Sequence, residues 1–217
     1  MRTIFISGIN KGLGRALAEK FLAAGDFVIG TSTTGTTDYP NKNLVVFSLD
    51  FYKQETIDDC IQEVKNLNKH IDIFINNAGV LKDEDETSVM IEKLRATLEV
   101  NLFGHIQITE ALIPLINVGG HIINISSSAG SLGQTTHTKY PSYKISKAAL
   151  NMYTRTLAIR LAGKITVSSV HPGWVKTDMG GDDADFTSEE SAEDIFKFAG
   201  SKIESGQFWF KGKKFPW

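Results

Sequence analysis

The stretch Ser7-Gly8-Ile9-Asn10-Lys11-Gly12-Leu13-Gly14 decides how this chain folds. Before it stand Ile4, Phe5 and Ile6, consecutive apolar residues of the kind that form a short strand covered on both faces. After it, Leu13, Leu17 and Phe21 recur at helical spacing, with Ala16, Ala18 and Leu22 beside them and Gly25 as the stop. In such a turn one glycine lets the chain reverse tightly. Another lets the backbone approach a pyrophosphate, and a third lets helix and strand pack closely. The helix start adds free N–H donors and the positive end of a dipole. Glycines that close a first strand and open a helix therefore point to a bound dinucleotide. The spacing is G-x-x-x-G-x-G with no Gly-Lys-Ser/Thr after it, which excludes a P-loop.

Outward from this turn the pattern alternates. Residues 2–7, 27–29, 44–49, 71–75, 121–125, 165–170 and 207–210 read as strands. Residues 56–67, 89–116 and 143–161 read as helices, with Gly104 and Pro114 as points where the second bends or ends. Thr187-Ser188-Glu189-Glu190 reads as a capping box opening a short helix. The alternation predicts an α/β chain: a single doubly wound Rossmann fold, with a mostly parallel sheet of about seven strands and helices on both faces. Residues 1–217 are expected to form one domain, with a short substrate loop near 178–190.

Composition limits the function. The chain has 217 residues, 23 Lys plus Arg against 25 Asp plus Glu, and a net charge of −2. That balance argues against broad binding to nucleic acid or to an anionic membrane. Apolar runs are too short to span a bilayer or to form a signal-peptide core, so a cytoplasmic protein is expected. The one cysteine, Cys60, excludes an internal disulfide and reads as buried packing on an amphipathic helix. The histidines show no metal-ligand spacing, and no metal is expected. Lys82-Asp83-Glu84-Asp85-Glu86 reads as a solvated loop or helix start.

Five motifs in order resemble the short-chain dehydrogenase/reductase family. They are the glycine turn, Asn76-Asn77-Ala78-Gly79 after the fourth strand, and Ser126-Ser127-Ser128 after the fifth. Tyr143-Lys144-Ile145-Ser146-Lys147 and the Pro172-Gly173 segment running to Thr177 complete the set. Within that family, residues 173–181 and the Phe215-Pro216-Trp217 ending are similar to the sniffer/C-factor-type carbonyl reductases. The resemblance implies reversible hydride transfer from a nicotinamide. In it Tyr143 protonates the carbonyl oxygen, Ser127 (or its neighbour Ser128) bonds that oxygen, and Asn101 holds a water in a proton relay. Tyr143 and Lys147 are i and i+4 on a helix and share a face. A cation there stabilises the phenolate and lowers a pKa that is ordinarily about 10. Tyr140 and Lys144 share that spacing, but only the Tyr143 frame has serine before the lysine.

The end of strand two reads Gly30-Thr31-Ser32-Thr33. No carboxylate is there to bond a ribose 2′-hydroxyl or repel a 2′-phosphate. Lys11 offers a point charge toward such a phosphate. NADP(H) is therefore expected over NAD(H). The cofactor is expected along Gly8, Asn10, Lys11, Gly12, Leu13, Gly14, Thr31 and Ser32. By resemblance it also meets Asp50, Phe51, Asn77, Ala78, Gly79, Tyr143, Lys147, Pro172, Gly173, Val175 and Thr177. Trp174, Met179, Tyr140 and Leu132, with Val80 and Phe186, are expected around a small-molecule carbonyl substrate. By the same resemblance a homodimer or homotetramer forms through the two long helices. The alternative function is a cofactor-binding regulatory or signalling member of the family with vestigial catalysis.

Overall fold

The computed structural model describes residues 1–135 and 137–217. One eight-stranded sheet runs through it in the order β3-β2-β1-β4-β5-β6-β7-β8. The strands are β1 (Thr3–Ile6), β2 (Phe27–Ser32), β3 (Leu44–Ser48), β4 (Ile71–Asn76), β5 (Ile116–Ile125), β6 (Thr166–Val170), β7 (Gln207–Phe210) and β8 (Lys213–Lys214). The first seven are parallel, and β8 adds one antiparallel edge beyond the seven expected. The helices are α1 (Gly12–Ala23), α2 (Gln54–Asn66), α3 (Ile91–Leu98), α4 (His105–Leu112), α5 (Pro141–Arg160) and α6 (Ser188–Ala199). This is the doubly wound Rossmann architecture.

Strand alternation divides the core. Ile4 and Ile6 join Leu17, Phe21, Ile195 and Phe198 under α1 and α6. Phe5, between them, points the other way and joins Phe74, Ile122, Leu157 and Val167 under α2, α4 and α5. Phe5 pairs with Phe74 across β1 and β4, their rings stacked at 4.5 Å. The chain reverses its winding between these two strands, and such a switch point opens a crevice at their carboxyl ends.

The continuous helix expected over 89–116 is interrupted. Between α3 and α4 lies a π-helical turn, Glu99–Gly104. Gly104 lies against the Phe51 ring there; a Cβ on it would stand 2.2 Å from Phe51 Cδ1. At Pro114, which has no N–H, the helix ends in the 3-10 turn Ile113–Leu115. Ile116 then opens β5, earlier than expected, because Gly119-Gly120 conceals an irregular strand start. The capping box at Thr187 is present: Thr187 Oγ1 accepts from Glu190 N, and Glu190 Oε2 accepts from Thr187 N. Within the acidic cluster Asp83 is only 1% exposed, so that segment is not simply solvated.

Candidate active site

Above the carboxyl ends of β1, β2, β4, β5 and β6 lies a cleft of about 1120 Å³. That exceeds the roughly 300–1,000 Å³ of a drug-sized ligand pocket and leaves room for a dinucleotide with a small substrate. Its floor is the glycine turn. Gly8 has φ +74°, open to glycine at little cost. At Gly14 a Cβ would stand 2.0 Å from the Gly8 carbonyl oxygen and 2.4 Å from Asn77 Nδ2. Helix and strand therefore approach as closely as a dinucleotide cradle requires.

The Asn76–Gly79 segment locks onto this turn. Asn77 Nδ2 donates to the carbonyls of Ser7 (2.9 Å) and Gly8 (3.0 Å), while Ser7 Oγ accepts from the N–H groups of Asn77 and Ala78. Asp50, Phe51, Pro172, Gly173, Val175 and Thr177 also line the cleft. Asn10, Lys11, Gly12 and Leu13 also line the cleft.

At the end of β2 no carboxylate faces the cleft. The hydroxyls of Thr31 and Ser32 both bond backbone there. Thr31 Oγ1 accepts from Gly8 N at 3.2 Å, and Ser32 Oγ donates to the Thr36 carbonyl at 3.0 Å. Thr33 stays exposed at the rim. Lys11 is not free: its ammonium pairs with Asp178 at 2.5 Å across the cleft mouth, both side chains more than three-quarters exposed.

Ser127, Tyr143 and Lys147 meet in the cleft wall. Ser127 caps the 3-10 turn Ser128–Gly130, its Oγ accepting from Ala129 N at 3.1 Å. That bond uses a lone pair and leaves the hydroxyl proton free to donate. Ser126, by contrast, is buried and donates to Asn151 Oδ1. Lys147 Nζ donates to the Ile125 carbonyl at 2.8 Å and stands 5.6 Å from the centre of the Tyr143 ring. Burial pushes the Lys147 ammonium down to about 8. Burial also pushes the Tyr143 phenol up to about 12, with the Ser127 hydroxyl offsetting part of the rise. Desolvation sets the direction of the Tyr143 shift. At neutral pH the phenol keeps its proton and can give it away.

Asn101, in the π turn, is fully buried behind the wall. Its Oδ1 accepts from Val80 N (2.8 Å), and its Nδ2 donates to the Val80 carbonyl (2.9 Å) and to Ser146 Oγ (3.0 Å). Its side chain shapes the wall rather than lining it. Tyr140, Trp174 and Met179 line the outer cleft, and Trp174 Nε1 donates to the Gly180 carbonyl. Leu132 does not belong there. It is 83% exposed on a turn whose buried anchor is Ser131. Phe186 packs behind Gly173 instead, where a Cβ would stand 2.5 Å from its ring. His137, Lys144 and Glu84 also line the cleft, and sequence reasoning passed over them. His137 Nε2 lies 2.9 Å from the Tyr140 hydroxyl. Only its sequence neighbourhood to Tyr140 could have pointed to it.

A model of the short chain dehydrogenase family matches residues 2–190. The 3-oxoacyl-[acyl-carrier-protein] reductase FabG of Aquifex aeolicus (strain VF5) is 34% identical over 186 residues, 80% of this chain and 74% of that protein. The carbonyl reductase Sniffer of D. melanogaster shares the fold over 100% of both chains, with a TM-score of 0.88 and 27% identity. An NADPH-bound carbonyl reductase from chicken fatty liver matches 100% of this chain and 99% of its own, with a TM-score of 0.87 and 26% identity. With the family match covering the glycine turn and α5 alike, this chain belongs to the short-chain dehydrogenase family of oxidoreductases.

Proposed function

We propose that the chain is an NADPH-dependent carbonyl reductase that converts small or medium, largely apolar aldehydes and ketones to alcohols. The observation that carries the reading is the convergence of Ser127, Tyr143 and Lys147 on a cleft floored by the Gly8–Gly14 turn. The residues present fit a nicotinamide dinucleotide, because the cradle at Gly14 has no room even for a Cβ. Gly8, Gly12 and Gly14 would hold its pyrophosphate, and Asp50 and Phe51 would flank its adenine. Ala78, Gly79, Lys147 and Thr177 would line its nicotinamide half. When bound, the nicotinamide supplies the hydride.

Tyr143 holds the proton that the carbonyl oxygen needs. Ser127, its Oγ fixed by Ala129 N, donates its own proton to the same oxygen. The Lys147 ammonium, anchored on Ile125, favours the anionic side of the proton transfer. Asn101 keeps Val80, and the adjoining Gly79 wall, in register with the tyrosine helix. The absence of a carboxylate at the end of β2 and the presence of Lys11 support NADP(H) over NAD(H), and the relative from chicken fatty liver carries NADPH. Trp174, half exposed, and Met179 support an open, permissive entrance.

The outer face of α5 exposes Ile145, Met152 and Ile159 at seven-residue spacing, and Phe103 lies exposed on the π turn. That apolar face supports a homodimer or homotetramer, measurable by light scattering. The proposed setting is the cytoplasm; among the described residues no helix is long and apolar enough to cross a membrane.

The test is loss of NADPH absorbance with a panel of aldehydes, ketones, quinones and pterins. Turnover with the first two classes is the expected result. Tight NADPH binding without any turnover would favour a regulatory protein with vestigial catalysis.

A further inference from the structure

We propose that Asp83 is a positioning residue for Tyr143, acting as a charged cap supplied to the catalytic helix from a different segment of the chain. The proposal rests on the reading of Tyr143 as the proton donor.

Helix α5 begins without a cap of its own. Tyr140 precedes it in the left-handed region, with φ 46° and ψ 55°, and its side chain makes no capping bond. The first N–H groups of a helix have no partner within it, and a buried one left unpaired is costly. Pro141 has no N–H to satisfy. The next, on Ser142, donates to Asp83 Oδ2 at 2.6 Å, across 59 residues of sequence. A capping side chain ordinarily reaches the second or third N–H of its own helix. Here the carboxylate comes from the segment after β4 and meets the second. Both partners are buried: Asp83 is 1% exposed and Ser142 is fully covered. A hydrogen bond to an ionised acceptor is short and roughly twice as strong as a neutral one, and the anion faces the positive end of the helix dipole.

The grip is wider than one bond. Tyr140 N donates to the Glu86 carbonyl at 2.9 Å, and Glu86 N donates to the Asp83 carbonyl at 3.1 Å, closing a turn. Glu86 in turn pairs with Lys93 at 2.5 Å. Residues 83–86 therefore hold residues 140–142 on both sides of the left-handed Tyr140. A non-glycine residue in that conformation persists only where its surroundings over-determine it. Tyr143 follows directly, so the place of its phenol depends on this first turn.

The same segment also carries the cofactor wall. Val80 is tied to Asn101, Asn101 to Ser146, and Ser146 Oγ to the Tyr143 carbonyl at 2.7 Å. The segment after β4 thus meets the first turns of α5 twice, through Asp83 and through Asn101, and Asp83 itself does not line the cleft.

The experiment compares Asp83→Ala and Asp83→Asn with the unaltered enzyme and with Tyr143→Phe. It measures kcat, KM, NADPH affinity and the solvent deuterium isotope effect on carbonyl reduction. Asp83→Ala is expected to lower kcat roughly 3- to 30-fold, the range that loss of a helix cap corresponds to. NADPH affinity should stay within about threefold, and the solvent isotope effect should rise because proton delivery becomes slower. Asp83→Asn keeps an acceptor for Ser142 N and is expected to restore kcat to within about threefold. Unchanged kcat and isotope effect in Asp83→Ala would overturn the proposal. So would equal damage in both variants with NADPH affinity and melting temperature falling in parallel, since that marks a structural role alone. Should Asp83→Ala not fold, Asp83→Ser, whose shorter side chain withdraws the acceptor from Ser142 N, takes its place: a raised isotope effect at unchanged NADPH affinity supports the proposal, and an unchanged one overturns it. Tyr143→Phe separates the two readings. If it retains turnover, the proton-donor reading falls and this proposal with it. If it is inactive while Asp83→Ala is normal, only the positioning role falls.

Discussion

Adding one methyl group at Gly14 tests the dinucleotide cradle directly. A Cβ there would stand 2.0 Å from the Gly8 carbonyl oxygen, 2.4 Å from Asn77 Nδ2 and 3.0 Å from the Gly8 carbonyl carbon. Side-chain carbons essentially never approach within 3.0 Å, so the turn and helix must separate by about 1 Å. Neither neighbour can yield cheaply. Gly8 N is held by Thr31, and the Asn77 amide bonds two carbonyls of the turn. Overpacking of this kind costs about 1–3 kcal/mol, and the backbone contact puts Gly14→Ala near the upper end. For a chain of this size about 3 kcal/mol corresponds to a fall of roughly 6–12 °C in Tm. A 1 Å misplacement at a binding site also costs on the order of 10²-fold in function. Calorimetry and NADPH titration by fluorescence are the assays. Gly200→Ala is the control, because Gly200 closes α6 with ordinary φ and its nearest neighbour would lie 3.8 Å away. Unchanged melting and unchanged NADPH affinity in Gly14→Ala would refute the cradle.

Two further predictions concern charge. Lys11 must leave Asp178 to meet a 2′-phosphate, so Asp178→Asn is expected to tighten NADPH roughly two- to fivefold and leave NADH unchanged; equal effects on both cofactors would remove Lys11 from phosphate recognition. Lys147 acts as a cation, and its pKa is lowered to about 8 by burial. The charged form predominates below that value and is lost above it, so kcat/KM for NADPH is expected to fall as pH rises through about 8. A profile flat to about pH 9.5 would contradict the assignment.

The sheet was legible because its strands are short apolar runs between turn residues. Ile4 to Ile6 show the double burial of a central parallel strand outright. The glycine turn was legible for a similar reason: steric need and composition coincide at Gly14. Other features depend on partners far along the chain. The π turn at Glu99–Gly104 accompanies the fit of Gly104 to Phe51, and neither residue announces the other. The β8 edge is two exposed lysines with no apolar signal. The cluster at Lys82–Glu86 carries the charge of a solvated loop, yet Asp83 is buried because Ser142 presents an N–H to it. Lys11 reads as an unpaired cation, yet Asp178, 167 residues away, pairs with it. The Tyr143–Lys147 pair was legible from i, i+4 spacing, but its protonation was not. Burial, which no spacing encodes, holds the phenol at about 12.

Proton delivery from Tyr143 to the carbonyl oxygen is the step on which the proposed function rests. Its most direct measurement is single-turnover carbonyl reduction by Tyr143→Phe preloaded with NADPH. A positioned general acid contributes about 10²–10⁴-fold. The expected result is a loss of at least about 10²-fold in the reduction rate, with NADPH affinity within about threefold of the unaltered enzyme. A variant that reduces the carbonyl at a rate within about tenfold of normal would contradict it.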